Sequence, residues 1–238
     1  IMKVEAAVAR AKDAPLTFET IDLEEPRHNE VRVRVVATGI CHTDMAVRDQ
    51  VIVPMPLPIV LGHEGAGIVE KVGESVSKVK PGDHVILSGD SCGNCPSCRV
   101  SLPSYCYEFF PRNFGGGRID GTTPFSVNGE KVHTFMGQGS FASHVVVHDR
   151  NVVKVSDDAP LELLGPLGCG IITGAGAVIN ALRVSIDKSI AVFGTGSVGL
   201  SAIMAAKLVG AGKIIAIDLR DDRLQLAREL GATHTINP

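Results

Sequence analysis

The sequence predicts an α/β chain in two parts: a small, mostly antiparallel β-barrel, then a parallel α/β unit of which only the first half is present. Three observations predict it. Up to about residue 155 the chain is a series of short apolar runs punctuated by glycine and proline. Beyond Pro160, apolar runs of strand length alternate with helical periodicity. A glycine-rich turn, Gly194-Thr195-Gly196-Ser197-Val198-Gly199, joins the first of those runs to a helical stretch.

In chain order, residues 31–36 alternate apolar and charged side chains, the period of a half-buried strand. Residues 68–72 and 84–87 follow turn residues, and 141–147 reads as another strand. Gly62, Gly65, Gly67, Gly73, Pro81 and Gly82 keep these runs short, which suits a small barrel better than helices. Residues 161–182 read mostly as helix with glycine interruptions. Then come a strand at 189–193, a helix at 197–210, a strand at 213–218, a helix at 221–231 and a strand at 233–236. That β-α-β-α-β order builds a parallel sheet, and a doubly wound fold has two such halves, so the chain reads as part of a longer one. The domain division is placed at 1–170 and 171–238.

Composition narrows the function. The 238 residues carry 23 Lys+Arg against 26 Asp+Glu, a net charge of -3, which argues against a nucleic-acid partner held on a basic face. Eight Phe, two Tyr and no Trp leave few stacking platforms for single strands. Apolar runs such as 190–193 and 214–217 fall far short of the ~18 residues that span a bilayer, so no membrane partner is expected. No secretory signal pattern opens the chain, and a cytoplasmic location is expected. Of the six cysteines, four cluster and two stand alone, which in a reducing compartment reads as metal binding and not as disulfides.

The cluster is Cys92-x2-Cys95-x2-Cys98-x7-Cys106. Four thiolates close the tetrahedral sphere of a zinc ion and leave no place for a substrate, so the role they suit is structural. An iron cluster uses a similar opening but a shorter last gap followed by proline, and Tyr107 follows Cys106 here; free buried thiols are the remaining reading. A second set is scattered: Cys41 with His42, Thr43 and Asp44, His63 with Glu64, and Cys169 between two glycines. Two Cys and one His with a fourth position open is the donor set of a catalytic zinc, yet singly each is weak, since a lone cysteine is more often a packed small hydrophobe. In the third motif, Gly194, Gly196 and Gly199 permit a tight turn and close approach of a pyrophosphate to a helix N-terminus. Asp218, at the end of the next strand, suits the adenosine ribose hydroxyls and repels a 2'-phosphate, favouring NAD over NADP.

Gly62-His63-Glu64-x2-Gly67-x5-Gly73-x2-Val76 resembles the signature of the zinc-containing alcohol dehydrogenases of the medium-chain dehydrogenase/reductase family. Gly39-Ile40-Cys41-His42-Thr43-Asp44, the four-cysteine loop, Gly165-Pro-Leu-Gly-Cys169-Gly170 and the glycine turn follow in that family's order, so the resemblance covers essentially the whole chain. Val47-Arg48-Asp49-Gln50, Phe109-Phe110-x-Arg112-Asn113-Phe114 and Gly174-Ala-Gly176-Ala look closest to the bacterial aryl-alcohol dehydrogenases. The resemblance implies a GroES-like catalytic domain with a structural-zinc lobe at about 90–110, then the first half of a Rossmann-type NAD-binding domain.

It also implies two zinc ions per chain and NAD as cofactor. Cys41, His63 and Cys169 match the catalytic-zinc positions, with Asp44 orienting His63 and Glu64 beside the metal or acting as a buried structural acid. Cys92, Cys95, Cys98 and Cys106 match the structural-zinc positions. His42, Thr173, Val198 and Arg223 fall on cofactor-contacting positions, each with a packing or structural role as its alternative. Thr43 is the expected first proton acceptor. One departure is Ala46, which stands where many relatives place a relay histidine and leaves the final proton acceptor open. The expected reaction is oxidation of a small-molecule primary alcohol of the benzyl type to its aldehyde, in a homo-oligomeric parent. A glutathione-dependent formaldehyde dehydrogenase, a general alcohol dehydrogenase, and an inactive zinc-binding module formed by this span alone are the alternatives. A zinc-free quinone reductase has no use for the thiolate lobe. Phe109, Phe110 and Phe114 read as either pocket or core.

Overall fold

In the computed structural model, which describes residues 1–238, the β-rich segment becomes ten strands. They are β1 (Met2–Ala9), β2 (Thr17–Leu23), β3 (Glu30–Thr38), β4 (Ile59–Val60), β5 (Gly65–Val72), β6 (His84–Leu87), β7 (Phe125–Val127), β8 (Glu130–Thr134), β9 (His144–His148) and β10 (Val152–Lys154). Between them lie three short helices, α1 (His42–Arg48), α2 (Pro96–Arg99) and α3 (Phe109–Phe114). The chain divides into two compact units, Ile1–Gly168 and Cys169–Pro238.

The first unit is the expected small barrel. Strands β1-β2-β7-β8-β4 close on themselves, and β10-β6-β5-β3-β9 form a second sheet. Every pairing is antiparallel except β4 with β8. Period-2 alternation turns Val4, Val8, Ile21, Leu23, Phe125 and Val132 from the barrel, and Val31, Val33, Val85 and Val145 from the other sheet, into one continuous core. Each fully buried side chain of this kind contributes about 1.5–3 kcal/mol. The strand expected at 141–147 is shorter than its apolar run. Its ladder begins at His144, because Phe141 N donates to Leu61 O at 2.9 Å and Ser143 N to Glu5 O at 2.8 Å. Residues 141–143 are thus tied to β1 and the loop after β4 before the chain enters the second sheet.

The helix expected over 161–182 is broken. It comprises α4 (Leu161–Leu164), a 3-10 turn Gly165–Gly168, α5 (Gly170–Gly176) and a π turn Ala177–Ala181. Close backbone approach explains the break: a Cβ at Gly165 would lie 2.3 Å from Glu64 O, and one at Gly168 2.1 Å from Leu87 O. The two glycines lay residues 165–168 directly against the loop that carries Glu64 and against β6.

The second unit has β11 (Ser189–Phe193), α6 (Ser197–Leu208), β12 (Lys213–Ile217), α7 (Asp221–Leu230) and β13 (His234–Ile236). The sheet is parallel in the order β11-β12-β13, as the β-α-β-α-β succession predicts. Val192, Ile203, Ala206, Ile214, Ala216 and Leu224 fill its core. Helices α6 and α7 stop short of the expected ends, before Gly210 (φ +78) and Gly231 (φ +132), whose left-handed backbone cannot continue a helix. No single helix in the chain is long and apolar enough to cross a membrane.

Candidate functional site

The site begins at the N-terminus of α1. Cys41 caps that helix, and the side chain of Asp44, at its third position, accepts the Cys41 backbone N–H through Oδ2 at 3.1 Å. The same carboxylate, fully buried, takes the Gly62 backbone N–H at 2.9 Å and the His63 ring at 3.0 Å, both on Oδ1. A carboxylate is an acceptor only, so His63 Nδ1 carries the proton and Nε2 keeps its lone pair for a ligand. His63 is further fixed by Phe135, whose ring meets it edge-on at 5.1 Å, and by Gln138 Nε2, which donates to the His63 carbonyl at 3.1 Å.

One ligand atom each from Cys41, His63, Glu64 and Cys169 lies within 4.8 Å of all the others. Cys169 reaches this group because it is bonded to Gly168, which presses on the Leu87 carbonyl. Glu64 reaches it because residue 39 is glycine: a Cβ there would fall 1.9 Å from Glu64 Oε2. Thr43 Oγ1 is 3.5 Å from Cys41 Sγ. Two sulfurs and an imidazole nitrogen, with a carboxylate beside them, form a donor set that a zinc ion fits.

The second cluster is local in sequence. Cys95 caps α2, Pro96 opens it, Cys98 lies within it, and Cys106 follows the 3-10 turn Pro103–Tyr105. The four sulfurs are also within 4.8 Å of one another, and no cysteine of the chain is in a disulfide. Backbone N–H groups point at the sulfurs: Cys92 N to Cys106 Sγ at 3.2 Å, Cys95 N to Cys92 Sγ at 3.3 Å, and Glu108 N to Cys106 Sγ at 3.4 Å. The Tyr107 and Cys98 N–H groups hold the Cys95 thiol down to about 6, and that of Asn94 lowers Cys92. Desolvation, aided by the neighbouring thiols, pushes Cys98 up to about 11. Some thiols ionise readily here while another resists, a conflict that a divalent cation at the centre removes. Zinc fits this site too, with no position left open.

Arginine, aromatic and nucleotide-side features complete the inventory. Phe110 stacks on Phe114 at 5.1 Å, and Phe114 meets Phe135 at 5.6 Å, so Phe114 is core packing that leads to the His63 ring, whereas Phe110 stays exposed. Ala46 is buried on α1. His42 is exposed at the start of the same helix. In the second unit Gly194 (φ +86) makes the turn after β11, and Gly196 caps α6. A Cβ at Gly199 would lie 1.9 Å from Gly194 O, so only glycine permits that closure. Asp218, just beyond β12, accepts from Thr195 N at 2.7 Å and Thr195 Oγ1 at 2.9 Å on Oδ2, and from Arg220 N at 3.0 Å on Oδ1. Those donors hold its carboxyl down to about 2. Thr173 on α5, Val198 on α6 and Arg223 on α7 are exposed, and Arg223 adds to the positive field on Asp218.

Sequence reasoning did not single out Gln138, Phe135 or Gly39's packing role. A usable signal for the first was Gly137-Gln138-Gly139, where both glycines take positive φ (63° and 64°) and fold the amide inward.

A family profile described as "Alcohol dehydrogenase GroES-like domain" matches residues 27–157, and one described as "Zinc-binding dehydrogenase" matches residues 197–238. Geraniol dehydrogenase of Castellaniella defragrans is 49% identical over 239 residues, covering 100% of this chain and 64% of that protein. The crystal structure of an alcohol dehydrogenase zinc-binding domain protein from Burkholderia ambifaria is 55% identical with a TM-score of 0.96, covering 99% of this chain and 64% of that one. Benzyl alcohol dehydrogenase from Acinetobacter calcoaceticus is 49% identical with a TM-score of 0.94 at the same coverages. The chain therefore spans a little under two thirds of the length of these relatives.

Proposed function

Because the chain belongs to the zinc-containing alcohol dehydrogenases of the medium-chain dehydrogenase/reductase family, we propose that the protein it represents oxidises a primary alcohol to its aldehyde and passes the hydride to NAD. The observation that supports this most is the convergence of Cys41, His63 and Cys169, with Asp44 fixing the His63 tautomer. These three residues would hold one zinc ion, and Cys92, Cys95, Cys98 and Cys106 another. When bound, the first supplies a Lewis acid that lowers the pKa of the alcohol.

The chain's own residues do the rest. Asp44 keeps the His63 ring oriented with its proton on Nδ1, through a buried hydrogen bond that a mobile side chain could not maintain. Thr43 Oγ1 accepts the alcohol proton while donating its own onward, which a hydroxyl can do in one step. With Ala46 buried at this position of α1, the helix offers no imidazole there to take the proton onward. The N-terminus of α6 and its glycine turn would receive the pyrophosphate. Asp218, ionised at any working pH, would accept from the ribose and exclude a 2'-phosphate. By the family resemblance, Thr173, Val198 and Arg223 would contact the cofactor and His42 would serve its pyrophosphate.

For the substrate, the names of two relatives point to alcohols whose carbinol carbon adjoins a π-system, benzylic in one and allylic in the other. A benzylic alcohol is the preferred assignment. The test is kcat/KM of the full-length protein with NAD on benzyl alcohol, geraniol and ethanol, and on formaldehyde with and without glutathione. A benzylic or allylic preference is expected. Comparable efficiency on ethanol, or glutathione-dependent formaldehyde oxidation, would replace the assignment with one of the alternatives.

A further inference from the structure

We propose that Arg150 is the counter-charge of the four-cysteine lobe, a residue that slows loss of its metal. The inference rests on reading that lobe as a zinc site. Four thiolates and a divalent ion carry a net charge of -2, and the backbone N–H groups at Cys92, Cys95 and Glu108 offset it only as dipoles. A full cation is positioned against the same loop. Arg150, in the 3-10 turn Asp149–Asn151, donates from Nε to the carbonyl of Ser91 at 2.9 Å, the residue before the first ligand. Its side chain then lies over Gly93, between the first two ligands. A Cβ at Gly93 would come within 3.0 Å of Arg150 Cδ and 3.3 Å of both Nε and Nη1, and Gly93 has φ +75. Glycine at this position is what lets the guanidinium approach.

The neighbouring charges leave Arg150 to this task. Arg112 is paired with Asp90 and Glu108, Arg118 with Glu30 and Glu24, and Arg27 with Asp120. The adjacent Asp149 is paired with His148. Arg150 forms no ion pair, so its charge is not spent on a carboxylate. The side chain is exposed, so its field is screened by salt.

The experiment measures zinc release to a chromogenic chelator from a Cys41→Ala, His63→Ala background, whose remaining zinc is that of the lobe. Arg150→Lys, Arg150→Gln and Arg150→Glu are compared at low and high salt. The expected order of release is Glu faster than Gln, Gln faster than Lys, with Gln about three- to tenfold faster than Arg at low salt and the spread narrowing at high salt. Release at the parent rate in all three variants would overturn the proposal. So would equal acceleration in all three at both salts, which would make Arg150 only a clamp on the Ser91 carbonyl. A background chain that binds no zinc would overturn the metal reading itself, and this outcome is distinct from either of the others.

Discussion

Asp44 carries the most structural weight of any single side chain at the site. It joins the α1 cap, the Gly62 backbone and the His63 ring in one buried carboxylate. Asp44→Asn places an NH2 group against one of those donors, and zinc affinity is expected to fall about ten- to a hundredfold, measured by chelator competition. Thr43→Ala tests a different role. Turnover is expected to drop about a hundredfold or more with zinc content unchanged, and Thr43→Ser to recover most of it. Unaltered turnover in the alanine variant would remove Thr43 from the proton path. Asp218 makes a pH prediction. Its folded carboxyl titrates at about 2, below the ~3.9 of an unfolded aspartate, so its contribution is present above about pH 4 and is lost as pH falls toward 2. Urea midpoints should therefore fall more steeply with acid in the wild type than in Asp218→Asn, and parallel curves would contradict this.

At the scale of elements, glycines decide where the backbones touch. Gly39 and Gly199 each leave a Cβ only 1.9 Å from an oxygen, that of Glu64 Oε2 and of the Gly194 carbonyl respectively. Gly199→Ala is expected to destabilise the second unit by about 1–3 kcal/mol and to weaken NAD binding, read by denaturant titration and by cofactor fluorescence quenching. The four-cysteine lobe was legible in the sequence because its ligands are neighbours along the chain, and β11 to β13 were legible because strand and helix periods alternate there without interruption. The scattered ligands were not readable from spacing. Cys41, His63 and Cys169 come together through a helix cap, the loop between β4 and β5 and a glycine-bearing 3-10 turn, and only the family resemblance joined them. Several barrel strands also escaped notice individually. β4 has two residues, and β2 exposes Phe18 while burying Ile21 and Leu23, so neither shows a clean alternation. The break in 161–182 follows from contacts made with Glu64 and Leu87, distant in sequence, which no local pattern records.

At the scale of the molecule, the barrel unit carries the four-cysteine lobe together with Cys41 and His63, and the parallel unit opens on Cys169 and carries the glycine turn. The near-neutral charge and scarce aromatics fit a small-molecule substrate. The relatives are longer than the 238 residues described, and metal content can be read on those residues by themselves. The measurement that bears most directly on this account is zinc per chain by elemental analysis after exhaustive dialysis, in the wild type and in the Cys41→Ala, His63→Ala variant. Two zinc ions per chain are expected, falling to one in the variant. One or none in the wild type, or two retained in the variant, would contradict the assignment of Cys41, His63 and Cys169 as a metal site.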